Sequence, residues 1–129
     1  MSKPQLRVIA FPGAPNLPTF AAIEHGHFLQ RGFDVDLELT PSSVYQAEQT
    51  AAGNFDIICT AFDNVVAYGS GQGAANVGTS PDYVVIMGAT QLELSLIVAP
   101  EIKTVADLAG KTIALDALTT GFAFVLFDM

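Results

Sequence analysis

Hydrophobic and polar positions follow two rhythms along this chain. Residues 6–11, LRVIAF, are apolar almost without a break, Arg7 being the exception. A strand covered on both faces carries that pattern. Residues 33–39 alternate strictly instead, Phe33, Val35, Leu37 and Leu39 against Asp34, Asp36 and Glu38. Period two means one dry face and one wet face, and three carboxylates on the wet face suit the edge of a sheet. Apolar runs at 55–61 (FDIICTA), 83–87 (YVVIM), 94–99 (LSLIVA) and 111–115 (KTIAL) predict further strands.

The helices are predicted between these runs. Pro12, Gly13 and Pro15 stop the first strand, and Pro18, which needs no N–H in a first turn, opens a helix. That helix is expected from about Leu17 to His25, with a break at Gly26, a short turn from His27 to Arg31 and a stop at Gly32. Ser43-Val44-Tyr45-Gln46 fits a capping box, so a second helix is expected to start there and end near Gly53. Asp63 is a good N-cap for a helix over residues 64–68. Thr104 and Asp107 make a capping box with a shorter acid, and Gly110 ends the turn. Residues 69–80, GSGQGAANVGTS, read as a surface connector, because their glycines fit neither dinucleotide- nor P-loop spacing.

Strands alternating with helices imply an α/β fold with a mostly parallel sheet flanked by helices. In such sheets ligands sit beyond the C-terminal ends of the strands. The loops at those ends supply Ala14, Pro15 and Asn16, then Thr60, Ala61, Phe62, Asp63 and Asn64, then Gly88, Ala89 and Thr90. Helix N-termini beside these loops favour anions by roughly 0.3–2 kcal/mol each, so two or three together would hold one without an arginine. Each residue also has a plainer role open to it. Asn16 stabilises its own turn, Thr60 is a strand end, and Asp63 is a cap. Tyr45 is a further candidate for the cleft wall.

Composition narrows the partners. The chain has 129 residues, half of them hydrophobic, with a formal net charge of −8. Only five residues are Lys or Arg, so nucleic acid and anionic membranes are poor partners. No run is long enough to span a bilayer, so no membrane insertion is expected. Cys59 is the single cysteine, which excludes an internal disulfide, and its apolar neighbours predict a buried core residue. His25 and His27 lie two apart, so on a helix they diverge, and neither they nor the acidic strand predicts a metal or another cofactor.

Three segments carry a resemblance. GHFLQRGFDVDLEL resembles a segment of type II periplasmic solute-binding proteins, of the group that takes alkanesulfonates, nitrate, taurine and thiamine-pyrimidine precursors. SSVYQAEQTAAGNFDIICTAFDN is similar to that family's second helix, third strand and ligand loop. TVADLAGKTIALDALTTGFAFVL resembles the segment that enters its second lobe. The resemblance implies a first lobe over residues 1–93, a hinge crossing strand and linker over 94–110, and an incomplete second lobe over 111–129. It also implies a ligand contact from Thr119, Thr120 and Gly121 at a helix N-terminus.

The implied activity is substrate binding for an ABC-type importer, in the periplasm or outside the cytoplasm. A small polar or anionic organic solute, sulfonate, carboxylate or pyrimidine-like, would be handed to a membrane permease. Family chains are about twice as long, so this chain is expected to be a piece of one. No signal peptide is visible in the sequence as given, which leaves a cytoplasmic ligand sensor open. An enzyme on the same fold, of the pyrimidine synthase, dehydratase or decarboxylase type, stays open too, although the loops offer only Asp63, Asp116 and hydroxyls for chemistry. Residues 121–127, GFAFVLF, are apolar nearly all round, which predicts self-association through that helix unless something else covers it.

Overall fold

The computed structural model describes residues 3–73, 77–78, 82–89, 95–115, 118 and 121–128. They form two compact units, Met1–Val84 with Ala117–Met129, and Val85–Asp116.

The first unit is α/β. Strand β1 (Gln5–Ala10) lies between β2 (Asp34–Leu39) and β3 (Ile57–Cys59), and both pairings are parallel. The apolar run thus takes the central position that its pattern predicts. Val8, Ile9 and Ala10 are buried, Ile9 completely. The alternating segment takes an edge, with Asp34, Asp36 and Glu38 exposed and Val35 and Leu37 half-buried. Register is fixed by Val8 opposite Leu37 on one side and Ile57 on the other.

Helices α1 (Leu17–Glu24), α2 (His27–Gln30), α3 (Ser43–Ala51), α4 (Phe62–Gly69) and α5 (Gly121–Asp128) flank this sheet. Gly26 takes the left-handed conformation that separates α1 from α2, at φ 69°, which a side chain would resist. A 3-10 turn over Ala14–Asn16 precedes α1. Helix α3 starts one residue earlier than its capping box predicts. Ser42, not Ser43, is the N-cap, and its Oγ accepts from the Tyr45 backbone N–H at 3.1 Å. Two adjacent serines both satisfy the motif, and Ser42 wins because its backbone is extended. Helix α4 likewise begins at Phe62 with Ala61 as N-cap, so Asp63 sits inside the first turn and is not the cap.

Helix α5 is not bare on its inner side. Gly121 and Ala123 are buried, and the helix packs against α4, where Gly121 meets the side chain of Asp63. Val125 and Phe127 remain exposed. Cover from within the chain therefore replaces, on one face, the cover expected from another copy.

Three predicted strands do not form among the described residues. Residues 82–89 and 95–99 belong to no helix or strand, and Val84, Ile86, Met87 and Ile97 are each more than three-quarters exposed, Ile97 at 92%. Strand propensity expresses packing against neighbours more than any backbone preference, and among the described residues the sheet holds no strand beyond β3. Cys59, in β3 at the edge of the described sheet, is exposed instead of in the core. Residues 111–115 also form no strand. Within the second unit the predicted capping box is present. Asp107 accepts from the Thr104 and Lys103 backbone N–H groups at 2.9 and 3.0 Å, and starts a 3-10 turn over Val105–Leu108. Those bonds hold its carboxyl below the usual range.

One ion pair ties β1 to the entry of β3. Arg7 Nε and Nη2 donate to Asp56 Oδ2 and Oδ1 at 3.1 and 2.7 Å, and the Arg7 backbone N–H donates to Oδ2 at 2.9 Å. Arg7's side chain first, then its backbone N–H, pulls the Asp56 carboxyl from an ordinary 3.8 to about 2. A depressed folded pKa stabilises the fold above the unfolded value and is lost as pH falls through the folded one. The stabilisation is expected to be complete above about pH 4 and to fade between about 3.8 and 2. Acid titration followed by circular dichroism should therefore show Asp56→Asn less stable than the parent at neutral pH, the two converging by pH 2. Parallel curves over that window would remove the pair from the acid response.

Candidate functional site

The geometry of the site follows from three parallel strands in the order β2-β1-β3. The chain leaves β1 toward one neighbour and returns to pair with β1 on its other side, so the C-terminal ends of β1 and β3 flank a switch point. Ala10 is opposite Cys59 in register, so the loops carrying residues 11–16 and 60–64 emerge at one rim.

Behind that rim is a small cavity of about 10 Å³, which is roughly the space of one water. Its polar wall is Gln46, Thr60, Asn64, Tyr68 and Tyr83, and Ala47, Ile58 and Val65 supply the apolar remainder. Each polar side chain arrives for a local reason. Thr60 directly follows β3, and Asn64, one turn into α4, donates Nδ2–H to Thr60 Oγ1 at 3.1 Å. Tyr68 is two turns along α4, buried, and donates its hydroxyl to the Ser43 carbonyl at 3.4 Å. Tyr83 is half-buried, and desolvation, then Tyr68, raises its phenol above the ordinary range.

Gln46 is the residue that sequence reasoning missed. The Ser43–Gln46 capping-box pattern makes it the last residue of that box. With Ser42 as the cap, Gln46 falls one position later and turns inward, only 3% exposed. Its Nε2–H donates to the Cys59 carbonyl at 3.2 Å and, at 3.5 Å, to that of Ile9. The signal available in sequence was the Ser42-Ser43 doublet, which offers the helix two registers. Thr40, 2% exposed, holds the approach to α3 by donating Oγ1–H to the Ser42 carbonyl at 2.7 Å.

The predicted site residues divide by position. Thr60 and Asn64 line the cavity, Ala61 and Asp63 are half-buried beside it in the chain, and Phe62 is 68% exposed. Ala14 and Pro15 are exposed at the same rim. Asn16 is buried and spends its amide on its own turn, Nδ2–H donating to the Phe11 carbonyl at 2.5 Å. Tyr45 donates its hydroxyl to Glu38 Oε1 at 2.9 Å. Gly88 and Ala89 are exposed and belong to the second unit. Gly121 is buried at the start of α5, against Asp63. Thr90, Thr119 and Thr120 lie outside the described residues. Arg7 is engaged by Asp56 at the entry of β3, away from the rim. His25 and His27 are exposed with ring centroids 6.0 Å apart, and no cluster of three metal-binding side chains occurs among the described residues. No helix among the described residues is long and apolar enough to cross a membrane.

Comparison with protein-family models, with curated proteins and with solved structures finds no match to this chain.

Proposed function

We propose that this chain is a solute-binding lobe, of the type II periplasmic binding-protein kind, serving an ABC-type importer with a small polar organic solute as its ligand. The observation that carries the reading is the polar cavity at the switch point, where Thr60 and Asn64 meet Gln46 behind the ends of two adjacent parallel strands. Ligands of open parallel sheets settle at such points. The importer, the permease partner and the periplasmic setting come from the three resembling segments. A cavity of about 10 Å³ encloses only the tip of a solute, so the rest of the molecule would lie across the exposed rim of Ala14 and Pro15.

A thermal-shift screen of small organic solutes on the full chain, followed by calorimetry, tests this. A stabilising solute is expected to remain chemically unchanged, as suits a carrier. Thr60→Val and Asn64→Ala are each expected to weaken its binding by about 1–3 kcal/mol, the scale of a buried polar partner left unpaired. That is roughly five- to 150-fold in Kd. Full affinity in both variants would move the site elsewhere, and turnover of the solute would replace the carrier with an enzyme.

A further inference from the structure

The site so described has one polar group whose orientation is fixed, and it sets the chemistry of the ligand. An amide side chain shows a donor on one side and an acceptor on the other. In Gln46 both neighbours of the nitrogen are backbone carbonyls, of Cys59 and Ile9, so Nε2 must face them and the amide cannot be turned over. The opposite atom, Oε1, accepts no hydrogen bond among the described residues. A cavity-lining side chain only 3% exposed therefore offers a positioned acceptor. The Asn64–Thr60 pair is adaptable by contrast, since a hydroxyl serves as donor or acceptor.

Charge points the same way. The N-terminus of α3 is already capped by Ser42, and the first turn of α4 already carries the carboxylate of Asp63. The dipole attraction that would draw an anion to this rim is thus answered from within the chain. The cations of the first unit are engaged elsewhere. Lys3 Nζ donates to the Leu29 carbonyl at 2.6 Å, Arg31 to the His27 carbonyl at 3.2 Å, and Arg7 to Asp56.

We propose that the ligand of this site docks an uncharged hydrogen-bond donor, such as an amide or urea N–H, on Gln46 Oε1, and that carboxylates and sulfonates are rejected. The inference rests on the binding function proposed above and specifies its ligand class. A carboxylate placed there sets oxygen against oxygen. An N–H group meets its acceptor, and the small cavity admits a group of that size.

The test uses matched triplets, each a primary amide, the corresponding carboxylate and the N,N-dimethylamide, built on methyl, phenyl and cyclohexyl groups. Each is titrated into the isotope-labelled full chain and followed by NMR. The primary amides are expected to shift the Thr60 and Asn64 signals and to bind at least tenfold more tightly than both of their counterparts. Gln46→Leu is expected to abolish that preference. If the variant fails to fold, the amide against dimethylamide comparison in the parent protein decides alone, because it removes the N–H without touching the chain. Carboxylates that bind at Thr60 and Asn64 as well as the amides do would overturn the donor assignment and leave the binding site standing. No response at those residues to any triplet would overturn the ligand class and the binding function together.

Discussion

Ile9→Ala is expected to destabilise the first unit by about 2–5 kcal/mol, the range for truncating a fully buried aliphatic side chain. The reason is how little else fills the core. Among the described residues the buried hydrophobics are Val8, Ile9, Ala10, Ala47, Ala67, Tyr68 and Ala123, and four of these seven are alanines. Ile9 has no exposed surface at all and sits in the central strand, opposite Glu38 on one side and Ile58 on the other. A core so rich in alanine has little side-chain length with which to refill the space, so the cavity persists. Domains of this size are stable by roughly 5–15 kcal/mol in total, so the change removes a large share. Urea denaturation checks it, with a lowered midpoint and an unchanged slope as the expected result. Ile9→Val, which removes one methylene, is expected to cost only about 0.5–1.5 kcal/mol. A loss below that for the alanine variant would show that Ile9 does not centre the core.

The same positions show what the sequence makes legible. Strand β1 and edge strand β2 are readable because burial on two faces and on one face leave different periods, and each period is local. The break between α1 and α2 is readable because Gly26 marks it chemically. Residues 83–87 and 95–99 carry as strong an apolar signal as β1, yet form no strand. Whether an apolar run becomes a strand depends on a partner edge, and no local pattern encodes the partner. Cys59 misleads for the same reason, since its apolar neighbours belong to a strand that is an edge among the described residues.

The candidate site is half legible. Thr60 and Asn64 could be placed because strand ends can be placed, and ligand loops follow strand ends. Gln46 could not, because its inward turn depends on whether Ser42 or Ser43 caps α3, a single-residue shift that swings each side chain by a large fraction of a turn. Asp63 reads as an N-cap in the sequence, and the structure gives that position to Ala61. Two residues of extra helix at the start move it from the cap into the first turn, where an acidic side chain suits the helix dipole.

Gly121→Val is expected to separate α5 from α4. A Cβ at position 121 would overlap Cβ and the carboxylate of Asp63, and because Cβ is fixed by the α4 backbone, rotating the side chain cannot clear it. One helix must move. Inserting bulk into a packed contact costs about 1–3 kcal/mol, and the cheaper response is for the terminal helix to lift. Native-state hydrogen exchange should show lost protection over Gly121–Asp128 while β1 stays protected, since the sheet does not depend on that contact. The second variant Asp63→Gly removes the obstructing Cβ, so the double variant is expected to recover protection in α5, with a coupling of about 0.5–3 kcal/mol between the two sites. Unchanged exchange in the single variant would mean that α5 is held by Ala123 alone. The result reaches the binding rim as well. Asp63 stands between α5 and the loop carrying Thr60 and Asn64, so any solute bound at that loop should sense the lifted helix through a changed affinity, and a solute bound elsewhere should not.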